Sequence, residues 1–176
     1  MKNINIIVGR FQPISNAHIN CAYEAFAKKG IKTILCIIDV KEEKVNELHP
    51  FPSSIILPIY KELFFNHDII EDVVLVKSAN IVQIDELLYN MGYEIDSWVC
   101  GSDRIVDYTR MSQKYKAESH LTPTFEMIEV KRNDKDISAT LLRQFLLIDD
   151  YKNFSNISPL KDYYKILRSQ ILKVYE

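Results

Sequence analysis

The sequence predicts an α/β protein, an open parallel sheet with helices on both faces and a helical tail at the C-terminus. Three observations carry that expectation. Short apolar runs rich in β-branched residues alternate with helix-period segments along most of the chain, as expected of strands joined by crossover helices. Several of these runs are apolar throughout rather than alternating, which suits strands covered on both sides. A chain of 176 residues without an internal repeat or linker-like stretch fits one domain over 1–176, at roughly 100 to 200 residues per domain.

The elements follow in order. Ile4 to Val8 reads as the first strand, closed by Gly9. Helical spacing then runs from Ala17 through Cys21, Ala22, Ala25 and Phe26, and Lys28-Lys29-Gly30 supplies a cationic last turn and a stop. Ile31 to Asp39 is the second strand, which completes a βαβ unit. A helix is expected near Ser54 to Asn66, a strand at Val73 to Lys77, a helix at Ile81 to Met91 and a strand at Ser97 to Gly101. Another helix covers Ile105 to Lys116, and Thr124 to Val130 is the last strand, ahead of a polar turn at Lys131 to Asp136. The tail has helical spacing at Leu160, Tyr163, Tyr164, Leu167, Ile171 and Val174. Its apolar face packs either on its own core or on a second copy, so a homo-oligomer stays open. The charged, proline-bearing loop from Val40 to Pro52 reads as a mobile lid.

Composition narrows the classes of function. Apolar residues make up 47% and charged residues 26%, which allows a packed core and excludes a disordered or low-complexity chain. With 22 basic and 24 acidic side chains the formal net charge is −2. No global cationic field is available for nucleic acid or an anionic membrane, so neither is an expected partner and any phosphate binding must be local. Cys21, Cys36 and Cys100 lie far apart in apolar stretches, as reduced structural thiols do, and no metal-ligand spacing appears. No apolar run approaches the ~20 residues of a membrane span. The start of the chain meets Gly9 and Arg10 before a signal-peptide core forms, so the expected location is cytoplasmic.

Ligands of open parallel sheets bind beyond the carboxyl ends of the strands, and three such loops carry chemistry. The first runs from Gly9 to His18: Gly9 suits a tight turn, Arg10 reaches an anion, and His18 falls in the first helical turn near free N–H groups. Ser15 and Asn16 read equally as an ordinary N-cap. The segment lacks the GxxxxGK[ST] pattern, and with four glycines the chain has no GxGxxG fingerprint. In the second segment, Asp136 to Arg143, Ser138 and Thr140 are either caps or anion-binding hydroxyls, and the Arg143 fork is either solvated or set for phosphate. The third, Cys100-Gly101-Ser102-Asp103-Arg104, offers Asp103 to a ribose hydroxyl.

Together these segments resemble the nucleotidylyltransferase superfamily, with its HxGH-type signature after the first strand and ISSTxxR-type signature before a late helix. Gly9-Arg10-Phe11-Gln12-Pro13 resembles the first, and Ile137-Ser138-Ala139-Thr140 with Arg143 the second. Ser15 stands at the usual first histidine and Ala17 at the usual glycine. Pro50-Phe51-Pro52 is similar to the NPFT-type stretch of nicotinamide mononucleotide adenylyltransferases, with Ile55 and Ile56 where polar residues are usual. Gly101-Ser102-Asp103-Arg104 is also similar to nucleotidyltransferase-like proteins of large bacteriophages.

The resemblance implies a Rossmann-like fold and in-line attack of an acceptor phosphate on the α-phosphorus of ATP, with pyrophosphate leaving. The favoured acceptor is nicotinamide mononucleotide, giving NAD. A cytidylyltransferase, an adenylyltransferase with another acceptor, and a catalytically silent nucleotide-binding regulator are the alternatives. His18 and Arg143 are the implied catalytic pair. Gly9, Arg10, Phe11, Ser15, Gly101, Asp103, Ile137, Ser138 and Thr140, together with His18 and Arg143 themselves, are the implied nucleotide contacts. Magnesium is expected mainly as the companion of the triphosphate. Lys41 and Lys44 are candidates to close over the phosphates, whereas His49, His67 and His120 match no motif and are expected to serve surface or packing roles.

Overall fold

The computed structural model describes residues 1–131 and 139–176. Five parallel strands form one sheet in the order β3-β2-β1-β4-β5. They are β1 (Lys2–Gly9), β2 (Thr33–Ile38), β3 (Ile70–Val76), β4 (Tyr93–Gly101) and β5 (Glu126–Val130). The helices are α1 (Asn16–Lys29), α2 (Ser53–Leu63), α3 (Ile81–Asn90), α4 (Ile105–Tyr115), α5 (Ala139–Leu147), α6 (Tyr151–Ile157) and α7 (Tyr164–Val174). This is a Rossmann-like arrangement, and the strand order reverses between β1 and β4, the switch point at whose carboxyl edge open parallel sheets bind their ligands.

Two apolar layers cover the sheet. On one face Ile7, Leu35, Ile37, Val73, Val99 and Ile128 meet Ala22 and Ala25 of α1, Ile56, Ile59 and Tyr60 of α2, Leu142 and Leu146 of α5 and Leu167 and Ile171 of α7. On the other, Ile4, Ile6, Ile34, Cys36, Val74, Ile95 and Trp98 meet Ile81, Ile84 and Leu88 of α3. Tyr108 of α4 extends that layer by stacking on Trp98 at 4.1 Å. Burial on both faces explains why Ile4–Ile7 and Ile34–Ile37 read as continuous apolar runs. Where β1 meets β4 the register shifts between Ile4 and Asn5. There the buried Asn5 accepts from Ser97 Oγ at 2.6 Å and donates to the Ile31 carbonyl at 2.9 Å, so the irregular pairing keeps its polar groups satisfied.

Local chemistry ends the helices where the sequence suggests. Gly30 takes the left-handed conformation after α1 (φ 69°) and donates its N–H to the Phe26 carbonyl. Asn80 caps α3 by accepting from Val82 and Gln83 N–H groups.

Several bounds differ from the expectation. β3 and β4 begin earlier, at Ile70 and Tyr93, because Glu71, Asp72 and Glu94 interrupt the apolar runs while the backbone continues its ladder. The strand expected from Thr124 starts at Glu126. The tail opens with a 3₁₀ turn at Lys161–Tyr163 before α7. α6 was not expected at all; it buries Phe154 alone, too little to make a periodic signal. Among the described residues no helix is long and apolar enough to cross a membrane.

Candidate active site

The β1–α1 loop is held in an unusual backbone path. Gly9 is still a strand residue, and a Cβ there would stand 3.4 Å from the Phe11 ring, within ordinary contact. The turn expected at Gly9 falls instead at Phe11, which has φ 50° in the left-handed region that non-glycine residues seldom occupy. A cis Gln12–Pro13 bond follows. Tyr60 of α2 fastens the loop: its hydroxyl donates to the Phe11 carbonyl at 2.6 Å and accepts the Ile14 N–H at 3.0 Å. Burial pushes the Tyr60 phenol up, so this donor keeps its proton. Ser158 adds a bond to the Ile14 carbonyl at 2.9 Å.

His18 receives its orientation from the same loop. The Ser15 N–H donates to His18 Nδ1 at 3.0 Å, and Ser15 Oγ lies 3.1 Å from the same nitrogen. An Nδ1 that accepts a backbone N–H leaves the proton of a neutral imidazole on Nε2. The ring edge also packs on Phe11, with centroids 5.0 Å apart and planes at 80°. Ser15 is fully buried and touches His18, so its hydroxyl orients the imidazole from behind. Phe11 is likewise buried, whereas Arg10 is exposed.

The second signature reaches this loop directly. Arg143 of α5 is 9% exposed, and its Nη1 donates to the Gln12 carbonyl at 2.8 Å, across 131 residues of chain. Nη2 donates to Thr140 Oγ1 at 3.1 Å. These bonds use two of the five N–H donors of a guanidinium, so Arg143 is itself positioned by protein acceptors. Burial works to lower its pKa. Ile137 and Ser138 lie outside the described residues.

Gly101 ends β4 beside the end of β5, in register with Val130, and Ser102 to Arg104 form the turn into α4. Asp103 is exposed there. Because β4 is the neighbour of β1, Gly101 and Asp103 stand on the same carboxyl edge as Gly9 and Arg10. The thiol of Cys100, just before them, is pushed up to about 11 by burial, then by Asp103 and Glu129. It is mostly protonated near neutrality, and none of the three cysteines forms a disulfide.

The β2–α2 loop is anchored more firmly than a lid reading implies. The Gln12 side chain donates to the Phe51 carbonyl at 2.8 Å and accepts the Phe51 N–H at 2.9 Å, while Ser53 Oγ accepts from Val40 N–H at 2.7 Å. Lys41 and Lys44 are exposed on its 3₁₀ turn. His67 accepts the N–H groups of Ile69 and Ile70, and His120 stacks on Tyr89 at 3.7 Å, both packing roles. His49 differs. Burial, then the positive fields of Arg10 and Arg143, hold it below the usual imidazole range. Sequence reasoning also missed Tyr60, since a tyrosine on an amphipathic helix carries no mark of where its hydroxyl ends. Gln12 was visible only as one letter of a motif.

Comparison with known proteins gives the chain a family and a fold. Residues 6–145 match the family model described as cytidylyltransferase-like. No curated protein matches the sequence. Among solved structures, a Plasmodium falciparum nicotinic acid mononucleotide adenylyltransferase complexed with NaAD is similar, at 17% identity and TM-score 0.63, over 97% of this chain and 98% of that one. A putative nicotinate-nucleotide adenylyltransferase from Vibrio parahaemolyticus is 13% identical at TM-score 0.59, covering 96% of each chain. A bifunctional NMN adenylyltransferase/ADP ribose pyrophosphatase from Francisella tularensis, complexed with AMP and a manganese ion, is 20% identical at TM-score 0.64, over 100% of this chain and 53% of that one. At these identities the structures speak for the fold, and the family model speaks for descent. Most of the chain lies within that match, so it belongs to the cytidylyltransferase-like family and to the nucleotidylyltransferase superfamily.

Proposed function

We propose that this protein is an adenylyltransferase that joins ATP to nicotinamide mononucleotide, yielding NAD and pyrophosphate. The observation that carries the reading is the bond from Arg143 to the Gln12 carbonyl, which joins the two signature segments at one corner of the crevice. The similarity to adenylyltransferases of pyridine mononucleotides favours this acceptor class over others.

An oxygen of the acceptor phosphate attacks the α-phosphorus of ATP while the bond to the β-phosphate oxygen breaks, and the pair of electrons leaves with pyrophosphate. No covalent enzyme intermediate is needed, because alignment and charge stabilisation lower the barrier. His18, held with its proton on Nε2, donates to the α/β-phosphate region, where negative charge builds. Arg143 and Arg10 hold the β- and γ-phosphates, and Thr140, in the first turn of α5, holds the leaving pyrophosphate, the role the resemblance also gives to Ser138. Gly9 and Phe11 shape the floor, and Gly101 with Asp103 borders the nucleoside. Magnesium arrives as part of Mg·ATP. Among the described residues no group of three His, Cys, Asp or Glu side chains stands ready to hold a metal, so no protein ligand is assigned to it.

Pyrophosphate release tests the proposal. Purified protein is given Mg·ATP or Mg·CTP with nicotinamide mononucleotide, nicotinic acid mononucleotide, phosphopantetheine, an alcohol phosphate or flavin mononucleotide. ATP with nicotinamide mononucleotide is expected to give the highest kcat/KM. A preference for CTP or for an alcohol phosphate replaces the proposal with a cytidylyltransferase. A silent nucleotide-binding regulator is the second reading, favoured by one observation: Ser15 is buried where the family has its first histidine. Triphosphate binding without turnover for any acceptor selects it.

A further inference from the structure

The backbone and the side chain of Gln12 serve two different parts of the molecule. Its carbonyl accepts from Arg143 Nη1 at 2.8 Å. Its side-chain amide reaches the β2–α2 loop, donating to the Phe51 carbonyl at 2.8 Å and accepting the Phe51 N–H at 2.9 Å. One buried side chain thus holds both backbone polar groups of a loop residue, much as a strand partner would. The Phe51 ring is fully buried and seats the loop at that point. The loop has other fastenings of its own. Ser53 N–H donates to the Val40 carbonyl at 2.9 Å and Val40 N–H to Ser53 Oγ at 2.7 Å, which closes the neck. Asn46 Oδ1 accepts the N–H groups of Leu48 and His49, and Gln170 of α7 donates to the Pro50 carbonyl at 3.1 Å. These bonds shape the loop without Gln12. The amide clamp adds a different connection, from the loop to the residue whose carbonyl orients Arg143.

We propose that Gln12 is a positioning residue that couples the seating of the β2–α2 loop to polyphosphate binding by Arg143. This rests on the reading of Arg143 as a phosphate ligand. The two bonds at Phe51 fix Gln12 through its side chain, while Tyr60 fixes the Phe11 carbonyl and the Ile14 N–H on either side of it in the chain. A carbonyl held in this way keeps Nη1 on one heading, and Thr140 Oγ1, 3.1 Å from Nη2, supplies the second point that sets the plane of the fork. When Phe51 leaves its seat, the Gln12 amide loses both partners and its carbonyl loses its fixed place. The guanidinium then has to be ordered at the moment a phosphate binds, which weakens binding. Linkage makes the effect reciprocal: a polyphosphate that holds Arg143 in place favours the seated loop by the same factor.

The test uses the whole protein and inorganic tripolyphosphate, which needs neither base nor acceptor. Gln12→Met keeps the length of the side chain, removes both bonds to Phe51 and leaves the backbone carbonyl that Arg143 uses. By calorimetry it is expected to weaken tripolyphosphate binding about tenfold. On an Arg143→Lys background, which keeps the charge but not the fork, the same substitution is expected to cost about twofold or less. A general loss of packing would weaken binding alike in both backgrounds, so equal factors, or undiminished affinity in Gln12→Met, overturn the inference. Amide exchange followed by NMR needs no variant. Saturating tripolyphosphate is expected to slow exchange of the Phe51 N–H about fivefold or more, and that of the Leu48 and His49 N–H groups, bonded within the loop, less. An unslowed Phe51 N–H, or no binding of tripolyphosphate, also overturns the inference. Coupling in a protein that releases no pyrophosphate from ATP keeps this inference and removes the proposed transfer reaction.

Discussion

At the scale of single residues, His18 and Arg143 do different work, and substitutions separate them. His18 Nδ1 accepts the Ser15 N–H, so a neutral ring carries its own N–H on Nε2. If that N–H stabilises charge in the transition state, His18→Ala lowers kcat by ~10²-fold or more, as removal of one such donor typically does. Urea unfolding checks that the fold survives, and an unchanged kcat removes His18 from the chemistry. Arg143 is a strut as well as a ligand. Arg143→Lys keeps the charge but not the fork that reaches Gln12 and Thr140 together. It is expected to raise KM for ATP more than it lowers kcat, with a stability loss of about 1 to 3 kcal/mol from the abandoned Gln12 carbonyl. Unaltered kinetics and an unaltered urea midpoint would count against both roles.

At the scale of elements, α2 governs the shape of the site although it carries no signature residue. Its Tyr60 hydroxyl serves the Phe11 carbonyl and the Ile14 N–H at once, and so holds the left-handed turn at Phe11. Tyr60→Phe removes a fully buried hydroxyl and leaves a donor and an acceptor without their partner. The expected loss is about 1 to 3 kcal/mol in urea unfolding, with a fall in kcat/KM because the loop that orients His18 relaxes. A variant with native stability and activity would show that the loop holds its path unaided. The elements themselves differ in how plainly they could be read. β1, β2 and α3 announced themselves through β-branched runs, helical spacing and caps. α6 did not, because seven residues with one buried side chain leave no period to detect.

At the scale of the whole molecule, the edge opposite the crevice is tied by charge. Lys29, at the end of α1, lies 2.8 Å from Asp96 of β4, whose other oxygen accepts from Thr122 and Thr124. Burial works to raise the Asp96 pKa, but the hydrogen bonds from Lys29, Thr122 and Thr124 outweigh it, and the carboxyl ends below its ordinary value. A carboxylate with a lowered folded-state pKa adds stability above its unfolded value, about 3.9, and loses it as pH falls through the folded value. Urea midpoints should therefore drop below about pH 4, and less steeply in Asp96→Asn, which starts from a lower plateau at neutral pH. Equal acid sensitivity in both proteins would place the titrating groups elsewhere.

The sequence by itself determined the alternation of strand and helix, the two signature segments and their order, because each is written in contiguous residues whose period or chemistry is local. It also carried the stop at Gly30 and the cap at Asn80, which depend on the conformations of neighbouring residues. Tertiary structure alone decided that Ser15 turns inward to His18, that Phe11 rather than Gly9 makes the turn, and that Tyr60, Gln12 and Gln170 fasten the loops of the crevice. Such contacts link residues distant along the chain, and their partners are chosen by how the helices pack on the sheet, a three-dimensional fact that no local pattern encodes.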